Sequence, residues 1–358
     1  MSIGVVIGIY FFKPWLGIYA LAAGFLLGGF LELIVQVPFL YVRKIRKDTQ
    51  AKYYTKIDIR ENEFRTVGRE SGFILLKSLL DKSVEIVGRI LASFLVAGSI
   101  ASLWFSQRLI QLPAAIIGLA ISRSLIPYLT ERKALTREDD FIDGIRLGIR
   151  MNFALIIPVT AMIVVLTKPI IALVYQRGSF DAESTDLTSI AFLCYALGLL
   201  GLSLNAFFSR IFSVFQKNKL PFYVSIVTSI LNIILNFVLV KTPLKHGGIA
   251  LASSIGFTLN SLILFYYLLF ELGGRLSVRR VSKEFAAVCA YSAVAGFAAD
   301  VLYRHVLMSL VPSWTGSFYV QQIIYLVLVG ALIAILFVAC VRVFGPSALK
   351  THLRGRQR

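Results

Sequence analysis

Apolar residues in this chain run in long blocks, broken by short polar or Pro/Gly-containing stretches. A helix needs roughly 20 apolar residues to cross the hydrocarbon core of a bilayer. The blocks at 1–12, 16–42, 72–97, 101–129, 150–167, 186–215, 221–241, 247–271, 284–303 and 318–341 predict ten helical spans. The first is only about half a span long and opens at Met1 in mid-pattern. It has neither the basic leader nor the small-residue cleavage site of a signal peptide, and it reads as a helix whose beginning is missing. Pro113, Pro158 and Pro169 fall inside or beside blocks and predict kinks or breaks there. The expected fold is all-α, a polytopic transmembrane bundle.

Composition strengthens this reading. Hydrophobic residues make up 57% of the 358, charged residues only 16%, and the mean hydropathy is +0.78. A single soluble core could not hide that much apolar surface, whereas lipid replaces the missing interior. The net charge of +18 would suit nucleic acid if it lay on one face. Instead it alternates along the chain. The segments 43–71, 130–150, 216–220, 272–283 and 342–358 hold 25 of the 37 Lys and Arg residues, and the intervening connections hold 6. Basic loops stay cytoplasmic, so both termini are expected in the cytoplasm. The charge is a topology signal with an attraction for anionic headgroups, and nucleic acid is not an expected partner.

Chemistry-bearing residues are sparse. Cys194, Cys289 and Cys340 sit in apolar runs without metal-ligand spacing, and His246, His305 and His352 lie far apart. There is no nucleophile–base pair, HExxH pattern or Gly-rich phosphate loop. An enzyme is disfavoured, and no cofactor or metal is expected.

Charges within the apolar blocks carry the functional signal. Lys77, Asp81, Lys82, Glu85 and Arg89 fall within an arc of about 140° on a helix, with Leu79, Ile86 and Ile90 opposite. Each charge facing lipid would cost at least about 2.5–3.5 kcal/mol. The stripe therefore either lines a hydrophilic cavity or lies on a helix flat against the membrane surface, and the alternation of basic loops favours a crossing. Lys77, Asp81, Glu85 and Arg89 are successive i,i+4 neighbours able to pair. Arg108 follows in the next block, where a guanidinium suits a phosphate group and also suits snorkelling. Arg123 and Arg210 read as snorkelling residues. Asn232 and Asn236 share a helix face, for interhelical bonding or for polar lining.

Several motifs in order then resemble a known family. Phe94-Leu95-Val96-Ala97-Gly98-Ser99, Trp104-Phe105-Ser106-Gln107-Arg108-Leu109-Ile110-Gln111-Leu112-Pro113, Gly118-Leu119-Ala120-Ile121 and Leu125-Ile126-Pro127 resemble segments of the lipid II flippases, the MurJ/MviN family. Arg177 to Asp181, Tyr195 to Leu199, Phe212 to Pro221 and His246 to Ala252 continue the resemblance, which extends to about residue 275. The family belongs to the multidrug/oligosaccharidyl-lipid/polysaccharide (MOP) exporter superfamily. Its fold has two six-helix lobes plus two further helices. The ten predicted spans correspond to helices five to fourteen, so the first four are expected to be absent.

The resemblance implies an organisation of 1–71 as the remainder of the N-terminal lobe, 72–275 as the C-terminal lobe, and 276–358 as two added helices with a basic tail. It implies alternating-access transfer of lipid II, a lipid-linked pyrophosphate, across the cytoplasmic membrane for cell wall synthesis. Of the family's cargo-binding arginines only Arg108 has a position here, and Gln107 replaces the usual preceding acid. Gly88 stands where relatives often have Asp or Asn, and Asn236 where some have an acid. The candidate substrate-binding set is Arg108, Arg89, Lys77, Lys82 and Gln111, with Asp81, Glu85, Asn232 and Asn236 as cavity lining. The expected partners are the lipid substrate, membrane lipids and a separately encoded N-terminal part. The alternatives are another exporter of the superfamily, carrying a lipid-linked polysaccharide, and a truncated, non-transporting membrane subunit.

Overall fold

A computed structural model describes residues 2–17, 19–45, 62–135, 138–302, 327–335 and 337–338. Among the described residues all regular structure is helical: α1 Ser2–Leu16, α2 Tyr19–Ile45, α3 Asn62–Ser93, α4 Ser99–Ala134, α5 Glu138–Tyr175, α6 Ala182–Ala196, α7 Leu199–Val214, α8 Lys219–Leu239, α9 His246–Glu271 and α10 Val278–Leu302. The chain divides into two compact units, Met1–Val67 and Gly68–Arg358.

In the first unit α1 and α2 pack on each other. Their backbones come so close at Gly8 that a Cβ there would lie 2.2 Å from the Gly24 Cα. Small residues are what permit such contact between helices in lipid.

The second unit holds α3 from Gly68 onward and α4 to α10. Several elements differ from the predicted spans for definable reasons. Helix α5 begins at Glu138 rather than 150, because Glu138, Asp139 and Asp140 form its first turn and acids favour the positive end of the helix dipole. Helix α3 likewise starts ten residues before the predicted 72. The predicted span 186–215 is two helices, α6 and α7, meeting at 45°. Among the described residues four helices are long and apolar enough to cross a membrane, or five if the bent pair counts as one span. Of the predicted last span, 327–335 is helical; 46–61 and the tail 342–358 lie outside the described residues, as do His305, His352 and Cys340.

Prolines act unequally. Helix α4 runs through Pro113 and Pro127. Helix α5 passes Pro158 but leaves helical geometry at Leu166, φ −101° and ψ 17°, three residues before Pro169. Proline cannot donate to the carbonyl four residues back, and its ring crowds that carbonyl, so the turn before it opens. The Thr167 hydroxyl donates to the Ile163 carbonyl at 2.6 Å beside the break.

Two apolar cores follow one another along α5. One gathers Ile145 and Ile149 with Phe207, Phe208 and Phe212 of α7. The other gathers Ile156 and Ile171 with Phe192 of α6 and Leu199. Where α7 crosses α9, a Cβ on Gly201 would stand 2.7 Å from the Thr258 Cα and backbone nitrogen. Gly198, at the α6–α7 bend, is equally tight against Ser254, whose hydroxyl donates to the Cys194 carbonyl at 2.7 Å and approaches the Tyr195 carbonyl at 3.3 Å.

Polar side chains tie the helices laterally. Asn152 Oδ1 accepts from Ser203 Oγ at 2.6 Å. The strongest tie is Arg150 on α5, whose Nε and Nη2 donate to the two carboxylate oxygens of Glu284 on α10 at 2.8 and 2.7 Å. Their side chains are 17% and 8% exposed.

At the turn into α6, Asp181 Oδ1 accepts the Ser184 N–H at 2.8 Å. That bond caps the helix and holds the Asp181 carboxyl below its ordinary pKa.

Candidate functional site

A cavity of about 330 Å³ opens inside the second unit. Helix α3 gives it Lys77, Asp81, Lys82, Glu85 and Arg89, so the whole predicted charged stripe faces one space. Leu79, Ile86 and Ile90, at 66%, 55% and 53% exposure, point away from it on the outer surface. The helix forms this way because 3.6 residues per turn stack positions 77, 81, 85 and 89 into one slowly drifting row.

The pairing along that row differs from a simple i,i+4 ladder. Glu85 accepts Lys82 on Oε2 at 2.7 Å and Arg89 on Oε1. Both of its oxygens are thereby engaged, and among the described residues Asp81 forms no ion pair. The stripe carries three cations against two carboxylates.

Helix α4 supplies Trp104, Gln107 and Gln111, and α6 supplies Tyr195. Arg108 does not line the cavity. It lies about 60° around α4 from Gln111, and its guanidinium sits 5.4 Å from the centre of the Trp104 ring. It is a cation seated on the cavity's aromatic wall residue, an arrangement worth roughly 0.5–1 kcal/mol at an exposed site.

The opposite wall is uncharged. Helix α8 contributes Ser225, Thr228, Ser229, Asn232 and Asn236, and α9 contributes Ser253 and Asn260. Asn232 Nδ2 donates to the Ala252 carbonyl on α9 at 3.3 Å, whereas Asn236 Nδ2 donates to Asn232 Oδ1 on its own helix at 3.1 Å, and both residues border the cavity. Ser225, Thr228, Asn205 and Asn260 were not singled out from the sequence. The signal for α8 was available, since 225, 228–229, 232 and 236 form a stripe at helical spacing opposite the exposed Val227, Ile230, Ile234 and Phe237.

A second cavity of about 450 Å³ lies where α4, α5, α7 and α9 end. The charges around it are tied to neighbouring groups. Arg275 meets Glu138 at 2.6 Å, Lys217 meets Glu271 at 2.5 Å, and the Lys133 ammonium stands 3.6 Å above the Phe215 ring. This is a set of ties between helix ends. Among the described residues no group of three or more His, Cys, Asp or Glu is arranged to hold a metal.

If the first cavity admits water while the outer face meets lipid, single cysteines at Asp81, Glu85 and Arg89 are expected to react with small membrane-impermeant thiol reagents. Cysteines at Leu79 and Ile86 should stay unlabelled in the bilayer. Equal labelling of both faces would place α3 outside the membrane.

Long apolar helices around an ion-lined cavity define a multi-pass membrane protein. The chain belongs to the lipid II flippase MurJ family, whose family model matches residues 1–325. It is 27% identical to a probable lipid II flippase MurJ of Haemophilus influenzae over 93% of this chain and 64% of that protein. It is 26% identical to the probable lipid II flippase MurJ of Buchnera aphidicola subsp. Schizaphis graminum over 98% of this chain and 66% of that one. The chain thus spans about two thirds of the length of these curated relatives. Among solved structures it matches lipid II flippase MurJ in an inward closed conformation, with a TM-score of 0.63 and 22% identity over 94% of this chain and 66% of that one. A MOP superfamily transporter from Pyrococcus furiosus gives a TM-score of 0.50 and 14% identity over 80% of this chain and 65% of that one.

Proposed function

We propose that this chain carries the cargo-binding wall of a lipid II flippase in the cytoplasmic membrane. The observation that supports this most is the placement of Lys77, Lys82 and Arg89 along one cavity between the helices. A pyrophosphate brings at least two negative charges into low dielectric, where charge-assisted bonds are strong. Lys77, Lys82, Arg89 and Gln111 are the residues proposed to hold it. Arg108, seated on Trp104, is proposed as a neighbouring cation that draws the headgroup toward the cavity. Transfer is movement by alternating access, with no covalent step. The Lys and Arg distribution supports cytoplasmic termini. The proposed organisation remains 1–71, 72–275 and 276–358.

The test is support of growth in a strain depleted of its own lipid II flippase, with membrane abundance measured alongside. Co-expressed with the N-terminal part of a MurJ relative, the wild-type chain is expected to support growth, Arg89→Ala to abolish that support at normal abundance, and Arg108→Ala to reduce it several-fold, with Arg108→Lys intermediate. Full support by the double variant Lys82→Ala/Arg89→Ala would remove the anionic cargo. Failure of the wild-type chain at normal abundance would favour the reading as a non-transporting membrane subunit.

A further inference from the structure

The second cavity is bordered by cations that its ion pairs do not use up. Arg132 and Lys133 of α4, Arg275 beyond α9, and the carboxylates Glu138 and Glu271 surround it. Glu138 is taken by Arg275, and Glu271 by Lys217. The two α4 cations are left over. Lys133 is exposed, forms no ion pair among the described residues, and holds its ammonium 3.6 Å above the Phe215 ring. The one carboxylate partner of Arg132 is Asp140, met by Nη1 at 3.4 Å, and that side chain is 49% exposed. Arg132 Nε is buried and meets no acceptor among the described residues. A guanidinium N–H can only donate, and a buried donor left unmet is uncommon and costly. Cations in the last turn of a helix suit its dipole, which accounts for basic residues at the end of α4 but not for the cavity or the unmet Nε.

The place of the cavity narrows the ligand. Lys133, Glu138 and Glu271 are the terminal residues of three candidate membrane spans, Ser99–Lys133, Glu138–Tyr175 and His246–Glu271. The cavity therefore stands at the depth where helices leave the hydrocarbon and lipid phosphates lie. It belongs to the end that carries the basic segments 130–150 and 272–283, the cytoplasmic side by the Lys and Arg asymmetry. The rest of its lining is apolar, with Phe141, Ile142 and Leu272 all buried. A cationic rim over an apolar floor suits an amphiphile, and basic pockets between helices on this side bind anionic headgroups. The volume, about 450 Å³, falls within the roughly 300–1,000 Å³ of small-ligand sites.

We infer that this second cavity binds a phosphate group, with Arg132 Nε and the Lys133 ammonium as its donors. Two sources carry that chemistry, an anionic phospholipid of the adjoining leaflet and a soluble phosphate ester. The apolar floor and the depth favour the lipid. The site is separate from the α3 stripe and does not rest on the proposed cargo. Residues of α4, of the first turn of α5 and of the turn after α9 all border the cavity, so a phosphate seated there joins three helix ends. A ligand held only by the folded chain adds to its stability, and the lipid would complete a set of ties that the ion pairs leave open.

The experiment follows the melting temperature of the purified full chain in nonionic detergent as one of three probes is added: dioctanoyl phosphatidylglycerol, dioctanoyl phosphatidylcholine or glycerol phosphate. Phosphatidylglycerol is expected to raise it saturably, and the zwitterionic lipid with the same chains is not. Arg132→Lys keeps the charge but loses Nε, so it should weaken the apparent affinity by about tenfold. Lys133→Gln should weaken it several-fold and reduce its salt dependence. Two controls should leave it unchanged: Arg279→Gln, an exposed cation of α10 that does not border the cavity, and Arg89→Ala in the first cavity. If Arg132→Lys fails to fold, the exposed Lys133→Gln still carries the test. Saturation by glycerol phosphate with the same dependence on Arg132 and Lys133 upholds the site and assigns it to a soluble ester, whereas response to phosphatidylglycerol alone assigns it to the lipid. Equal stabilisation of wild type, Arg132→Lys and Lys133→Gln, or an equal loss in Arg279→Gln, reduces the effect to general surface attraction and overturns the site. A loss confined to Arg89→Ala would put the phosphate in the first cavity and also overturns it, as does the absence of any response.

Discussion

Arg150→Ala is expected to destabilise the second unit by about 3–5 kcal/mol, because it strands the Glu284 carboxylate where water cannot reach it. The pair is bidentate, and both side chains are largely buried between α5 and α10. Glu284→Ala should cost a similar amount by leaving the guanidinium alone. The informative variant is the double one. Arg150→Met/Glu284→Leu removes both charges together and, by the same reasoning, should be much less destabilising than either single change. Thermal melts in detergent, followed by the retention of α10 against limited proteolysis, would measure this. If each single variant melts within a degree or two of the wild type, α10 is not held by this pair.

Gly201→Leu is the second change with a large expected effect. Helices in lipid gain little from burying apolar surface against one another, so their association depends on close packing. At Gly201 the approach of α9 is so close that even one methyl would sit 2.7 Å from the Thr258 backbone. Backbone cannot rotate out of the way as a side chain can. Overpacking of this sort costs typically about 1–3 kcal/mol for modest insertions, and more where rigid backbone is displaced. Gly201→Ala should lower the melting temperature clearly, and Gly201→Leu should abolish detergent-stable protein. Gly118→Ala on α4 is the control: a Cβ there meets nothing within 4 Å, and alanine favours helix by up to about 1 kcal/mol. Equal losses at 118 and 201 would show that glycine matters there for backbone reasons rather than for the crossing.

Sequence patterning reached as far as single helices and stopped at their meeting points. The α3 stripe was legible because lipid penalises charge so heavily that five ionisable residues on one arc require a polar space. The α8 stripe was half legible: Asn232 and Asn236 stand out from an apolar background, while serine and threonine at 225, 228 and 229 do not, since their hydroxyls can satisfy themselves on their own helix, as Thr228 does. Arg150 was counted among the loop cations, and its partner is 134 residues away. No local period encodes such a pairing. Arg108 shows the reverse case. Motif and charge direct attention to it, but its place on the helix, 60° from Gln111, sets it on Trp104 and off the cavity lining. Helix ends were misjudged where acids begin a helix, because at α5 the residues that look like loop are the ones that favour a helix start.

The bend between α6 and α7 has an evolutionary corollary. A break in a helix leaves carbonyls that the next turn would have met, and here the Ser254 hydroxyl on α9 meets that of Cys194 and shares that of Tyr195 with the Gly198 N–H. The backbone of α9 can come that near because position 198 has no side chain. The shape of one span is thus recorded at two places more than fifty residues apart. In any lineage where residue 254 loses its hydroxyl, selection should act on position 198 as well, toward a residue that rebuilds an unbroken helix, so the two sites are expected to drift as a pair.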